Sequence, residues 1–146
     1  MTTIDSFFSS TEEKRIISAI KRIEKISSGE IRVHIDESNS TDLMDRAKKA
    51  FYALGMNKTI ERNGVLFYIS TNQNGFVVLG DVGINNIIPD GFWDNLKDEV
   101  LKHFRMNKRI EGILKGIKIV GVFLKEHFPY KNAMNELPDE ISRSTS

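Results

Sequence analysis

The sequence predicts an α/β protein, a three-layer α/β/α sandwich with a small mixed sheet of three to four strands and helices on both faces. Two observations carry this. Val65–Ile69 and Phe76–Leu79 are continuous apolar runs, joined by a polar turn over Ser70–Gly75. Neither run alternates apolar with polar, and a strand that is apolar on both sides must be covered on both sides. Most other segments space their apolar residues at helical intervals, so they supply the cover.

The elements follow in order. Ser10 and Glu13 stand at capping-box spacing and open a first helix, with acids where the helix dipole favours them. Ile16, Ile20 and Ile23 form its apolar stripe, and Ser27-Ser28-Gly29 stops it. Phe7 and Phe8 precede it and are placed to fold back onto that stripe. Glu30–Asp36 alternates: Ile31, Val33 and Ile35 face one way, and Glu30, Arg32, His34 and Asp36 the other. This reads as an edge or partly covered strand. Asp42–Leu54 is a helix capped by Ser40 or Thr41 and ended by Gly55.

Strand, helix and strand (Glu30–Asp36, Asp42–Leu54, Gly64–Ser70) make a βαβ unit, so the two strands are expected to be parallel. The hairpin then adds Gly75–Gly80 antiparallel to the second strand, with Gly75 supplying a positive φ at the turn. Phe92–Phe104 and Arg109–Phe128 complete the helices. Gly112, Gly116 and Gly121 weaken the last helix intrinsically, so close packing must compensate. Residues 1–129 form one domain, and 130–146, poor in apolar residues, read as a flexible C-terminal tail.

Composition narrows the function. A net charge of +1 over 146 residues argues against nucleic acid as partner. Zero cysteines exclude disulfides, thiolate metal sites and cysteine nucleophiles, and suit a reducing, cytoplasmic setting. The N-terminus has no signal-peptide pattern. The longest apolar helix is broken by Lys115, Lys118 and Lys125, so no membrane insertion is expected.

The expected topology brings the starts of the two parallel strands and the end of the third to one rim. Glu30, Asn63 and Asp81 share it, with Asn85 and Asp90 following Asp81 in sequence. Carboxylates and amide oxygens are hard ligands suited to Ca²⁺ or Mg²⁺. Glu30, Asp81 and Asp90 are therefore the candidate metal ligands, and Glu30, Asn63, Gly83 and Asn85 the candidate ligand-binding residues. Acids and asparagines also frequent strand ends because their side chains bond local backbone, and that is the commoner case. Gly80-Asp81-Val82-Gly83 lacks the spacing of a nucleotide loop. The opposite rim holds Asp36, Ser38, Ser70 and Thr71. His34, His103 and His127 show no metal spacing, and no G-x-S-x-G elbow is present. Lys102, Arg105, Lys108 and Arg109 cluster between the last helices as a basic, mostly solvated face.

Asn63-Gly64-Val65-Leu66, then Val78-Leu79-Gly80-Asp81-Val82-Gly83-Ile84-Asn85, then His127-Phe128-Pro129 together resemble the TPM domain, in its short, soluble bacterial form. Ser28-Gly29-Glu30-Ile31-Arg32-Val33 is similar to that family's first strand. The resemblance implies an α/β/α sandwich, divalent-cation binding and phosphatase-like activity. It singles out Glu30, Asn63, Gly64, Asp81, Gly83 and Asn85. One departure is Asn107, where short members tend to carry glycine. Lacking a nucleophile–base pair, the chain reads as a non-catalytic binding or assembly module with an unidentified protein partner and a candidate divalent-cation site. The alternative is a metal-assisted, acid-phosphatase-like hydrolase.

Overall fold

The structure, a computed structural model, describes residues 4–130. Five helices and three strands run in the order α1 (Ser10–Glu24), β1 (Glu30–Asp36), α2 (Leu43–Ala53), β2 (Gly64–Ser70), β3 (Gly75–Gly80), α3 (Val82–Asn85), α4 (Phe92–Arg105) and α5 (Arg109–His127). A short 3-10 turn over Met56–Lys58 lies between α2 and β2. Within these residues the expected fourth strand does not occur. The expected tail over 130–146 falls outside the described residues from 131 onward.

The sheet order is β1-β2-β3, so the apolar strand sits in the middle. β1 and β2 are parallel, with Glu30 opposite Gly64 and Asp36 opposite Ser70. β2 and β3 are antiparallel, with Val65 opposite Gly80. All seven residues of β2 are buried. Its side chains leave alternately to two cores. Val65, Phe67 and Ile69 join Ile31, Phe76 and Val78 beneath α1, α4 and α5. Leu66 and Tyr68 join Val77 beneath Ala47 and Phe51 of α2. Phe7 and Phe8 fold into the first core, as expected, each 3% exposed.

Several local expectations shift. The capping box is Ser9 with Glu12, one residue earlier than read, because two adjacent serines each have a glutamate three residues on. Asp42 caps α2 in place of Ser40 or Thr41, its carboxylate accepting the Asp45 N–H at 3.0 Å. At the hairpin the positive φ falls on Asn74 (φ 49), not Gly75. Asparagine tolerates the left-handed region, so the turn needs no glycine there. Asn107 (φ 58) takes the same conformation between α4 and α5.

The glycines of α5 carry the packing that their low propensity demands. A Cβ at Gly116 would lie 3.0 Å from the Phe67 ring and 3.1 Å from Val100 Cγ2. Helix α5 thus sits close enough to touch β2 and α4 at once. A larger residue must separate these layers. We predict that Gly116→Leu lowers the urea unfolding free energy by about 1–3 kcal/mol. An unchanged or raised value, as helix propensity alone would give, would contradict this packing.

Candidate functional site

The lip at the start of β2 is built around Gly64. Glu30 pairs with Gly64 on one side. Asp81 donates its backbone N–H to the Gly64 carbonyl at 2.9 Å on the other. Glu30 and Asp81 therefore share one end of the sheet, two strand spacings or about 10 Å apart along the backbone. Asp90 lies beyond α3, exposed in the turn before α4. Among the described residues, no three of His, Cys, Asp or Glu gather into a group that could hold a metal ion.

Asp81 is 5% exposed, and its charge is met inside the protein. Arg62 grips it with two bonds, Nε to Oδ2 at 2.7 Å and Nη2 to Oδ1 at 2.9 Å. Asp81 Oδ1 also accepts the Val82 N–H at 2.8 Å, capping the short α3. The fork geometry of the guanidinium matches both carboxylate oxygens, which a lysine could not do. Arg62 holds φ at 52, outside the usual range for a side-chain-bearing residue. Its carbonyl accepts the Gly83 N–H at 2.9 Å, so backbone and side chain both fix it. Gly83 is required by contact: a Cβ there would stand 2.2 Å from the Glu61 carbonyl oxygen. Of the expected ligand-binding residues, Gly83 thus supports the loop that delivers Arg62.

Asn63 is 1% exposed. Its Nδ2 donates to Ser28 Oγ at 3.1 Å, and Ser28 Oγ donates to the Glu61 carboxylate. Its Oδ1 is buried without a hydrogen-bond partner. Asn85 is used at both ends. Its Nδ2 donates to the Gly80 carbonyl, and its Oδ1 accepts Trp93 Nε1–H, each at 2.8 Å. Asp81 and Asn85 border an open cleft of about 320 Å³, whose other walls include Lys48, Phe51, Tyr52 and Leu79. Sequence reasoning missed Arg62, Trp93 and the Ser28–Glu61 pair. No local pattern marks them, since the contacts of each depend on the chain returning to this lip.

A family model described as the TPM domain matches residues 2–122. The chain belongs to the TPM domain family. Its fold is similar to the NMR structure of BA42 protein from the psychrophilic bacterium Bizionia argentinensis. The two share 38% identity and a TM-score of 0.80 over 89% of this chain and 90% of that one. The N-terminal domain of a P. gingivalis protein, 22% identical, matches 85% of this chain and 80% of its own with a TM-score of 0.69. The N-terminal domain of cg2496 protein from Corynebacterium glutamicum, 16% identical, matches 81% and 74% with a TM-score of 0.63. The last two show the fold alone. No curated protein matches the chain. Among the described residues, no helix is long and apolar enough to cross a membrane.

The opposite rim of this TPM domain holds a second polar knot. Asp36 Oδ2 accepts the Tyr68 hydroxyl and, at 2.8 Å, Arg46 Nη2. His34 stacks on Tyr68 with ring centroids 6.0 Å apart. Ser70 Oγ donates to the Ser38 carbonyl at 3.2 Å, which ties the loop after β1 to the end of β2. Burial pushes the Asp36 carboxyl up, but the bonds from Tyr68 and Arg46 outweigh it and hold the carboxyl below its ordinary value. Burial and the Asp36 carboxylate raise the Tyr68 phenol. The pair thus ties α2 to both parallel strands.

A depressed carboxyl contributes stability that is complete above its ordinary value, near 3.9, and is lost as pH falls through the folded value. We predict that Tyr68→Phe costs about 1 kcal/mol at pH 7, a figure already reduced because Asp36 keeps solvent contact. The deficit should shrink as pH is lowered below about 4. A deficit constant from pH 7 to pH 2 in urea titrations would contradict this role for Asp36.

Proposed function

We propose that this TPM domain is a non-catalytic binding module whose Gly64 lip takes a divalent cation, Ca²⁺ or Mg²⁺. One observation carries the reading: the buried Asn63 Oδ1 has no hydrogen-bond partner. A buried acceptor left unmet costs about 1–3 kcal/mol, and a hard cation is one group that would meet it. Asn63 Oδ1 and the Glu30 carboxylate would hold such an ion, and Asp81 would join them only by releasing Arg62. The paired state of Asp81 supports binding over hydrolysis, since a guanidinium already supplies its counter-charge. A cytoplasmic setting belongs to the same proposal and rests on the absence of cysteine from the sequence.

A second reading has one point in its favour: the label of the matched family model pairs the TPM domain with phosphatase. In that reading a cation at the lip would polarise a phosphoryl oxygen.

A thermal-shift titration with Ca²⁺ and with Mg²⁺, for wild type and Asn63→Ala, tests the proposal. Free ion at 100 times its dissociation constant should stabilise wild type by about 2.7 kcal/mol, and Asn63→Ala should lose that increment. An unchanged midpoint at millimolar ion would remove the cation site. Hydrolysis of p-nitrophenyl phosphate that needs the ion and disappears in a folded Asp81→Ala would replace the module with the phosphatase.

A further inference from the structure

Helices α1 and α5 lie side by side, with Gly121 seated against Ile23, and a basic groove runs between them. It consists of two adjoining hollows of about 320 Å³ each, which share Arg22 and Leu114. Ala19, Ile23, Leu114 and Ile117 make the apolar floor. Lys14, Arg15 and Arg22 stand on the α1 margin and Lys118 on the α5 margin. Among the described residues that line the groove there is no acid. Glu111 comes three residues before Leu114 without lining it, Glu12 is bound to the Ser9 N–H in the capping box, and Glu13 lines the separate hollow between α1 and β1. None of the four cations forms an ion pair among the described residues. Like charges around one groove repel one another, and an acidic occupant relieves that repulsion.

The chain leaves α5 at one end of this groove. Tyr130 N–H donates to the Ile26 carbonyl at 3.1 Å, and Pro129 bridges to Ser27. Ile26 comes one turn after Arg22, so the exit is at the Arg22 end. Two large apolar residues stay exposed there, Ile26 at 45% and Val122 at 64%. Beyond Tyr130 the sequence runs Lys131-Asn132-Ala133-Met134-Asn135-Glu136-Leu137-Pro138-Asp139-Glu140-Ile141. Leu137 stands between acids, Glu136 before it and Asp139-Glu140 after it, and Pro138 disfavours a helical backbone at Leu137. An apolar centre flanked by anions complements an apolar floor flanked by cations. The reach suffices. From Arg22 back to Arg15 is about 10 Å along α1 at about 1.5 Å per residue. Residues 131–137 extend to about 23 Å, enough to bring Leu137 onto Leu114.

We propose that residues 131–146 form a strap that docks in the α1–α5 groove of their own chain. Leu137 sits on Leu114 and Ala19. Glu136 meets Arg22 and Lys118 near the exit, and Asp139 and Glu140 reach Arg15 and Lys14 further in. The acids thus follow the order of the cations away from the exit. Lys131 stays at the exit, and Arg143, three residues past Glu140, falls toward Glu111 at the far end. Tethering selects this occupant over a separate chain. A segment joined to the groove's own end acts there at an effective concentration of about a millimolar, so contacts too weak to hold a free partner suffice. This goes beyond the cation reading and does not depend on it, because the groove shares no residue with the Gly64 lip.

The sequence has no cysteine, so a nitroxide on a single Ser142→Cys substitution marks the strap in the full-length chain. Its proximity is read as loss of amide NMR signal. The expected loss runs along the groove away from the exit, at Arg15, Ser18, Ala19 and Leu114. Arg22→Glu combined with Lys118→Glu, both at exposed positions, should keep the native spectrum elsewhere and abolish the loss at those four amides. Adding Glu136→Lys to that pair should restore it. No loss along the groove, or a loss indifferent to the reversal of Arg22 and Lys118, overturns the proposal. A loss that persists when the nitroxide and the isotope label are on different copies would overturn it in favour of a second copy. A groove without the strap, whose signals fade on adding phosphatidylglycerol vesicles, would overturn it in favour of an anionic membrane surface.

Discussion

Strand β2 is the constraint from which the rest of the molecule follows. Its seven residues are buried, with Val65, Phe67 and Ile69 on one face and Leu66 and Tyr68 on the other. Burying each such side chain favours folding by roughly 1.5–3 kcal/mol, so neither face can be left to water. The long helices α1, α4 and α5 take one face, and α2 takes the other. The two layers differ because β1 turns polar side chains to the α2 side: Glu30, His34 and Asp36 are half-buried there, Arg32 is exposed, and none needs an apolar cover. Helix α2 therefore sits over β2 and β3, held to β1 by Arg46 and Tyr68 converging on Asp36.

The same strand sets the geometry of the lip. Because β1 is parallel to β2 and β3 returns antiparallel, Glu30 and Asp81 must flank Gly64. Burying Asp81 there demands a counter-charge, and Arg62 supplies it by adopting a left-handed backbone just before the strand. Gly83 lets the loop carrying Arg62 lie against α3. The strain at Arg62 is thus held by two independent contacts, its carbonyl to Gly83 and its guanidinium to Asp81. Of the buried side-chain atoms described at the lip, Asn63 Oδ1 is left without a hydrogen bond.

The fold was legible because it rests on patterns that act over short spans. The two apolar runs, the alternation of β1 and the helical stripes each declare a period, and βαβ chirality does the remaining assembly. Local signals failed where two neighbours met the same rule. Ser9 and Ser10 both stand at capping-box spacing, though only Ser9 forms the box, and Asn74 and Gly75 both tolerate the hairpin turn. The candidate site was legible only as a neighbourhood. Topology puts Glu30, Asn63 and Asp81 on one edge, but nothing in the order of residues says that Arg62 reaches across 19 positions to Asp81, or that Trp93 locks Asn85. Those contacts arise from side-chain directions fixed only after the chain has packed.

Hydrogen exchange at the backbone amides measures the central constraint most directly. If β2 holds both cores together, the amides of Val65 to Ser70 open only with global unfolding, and their exchange free energies equal the stability from denaturant titration. The outward amides of Val33 and Ile35, bound to nothing among the described residues, exchange orders of magnitude faster. Exchange from β2 at a free energy well below global stability, or Val33 and Ile35 protected as fully as Leu66, would contradict the account.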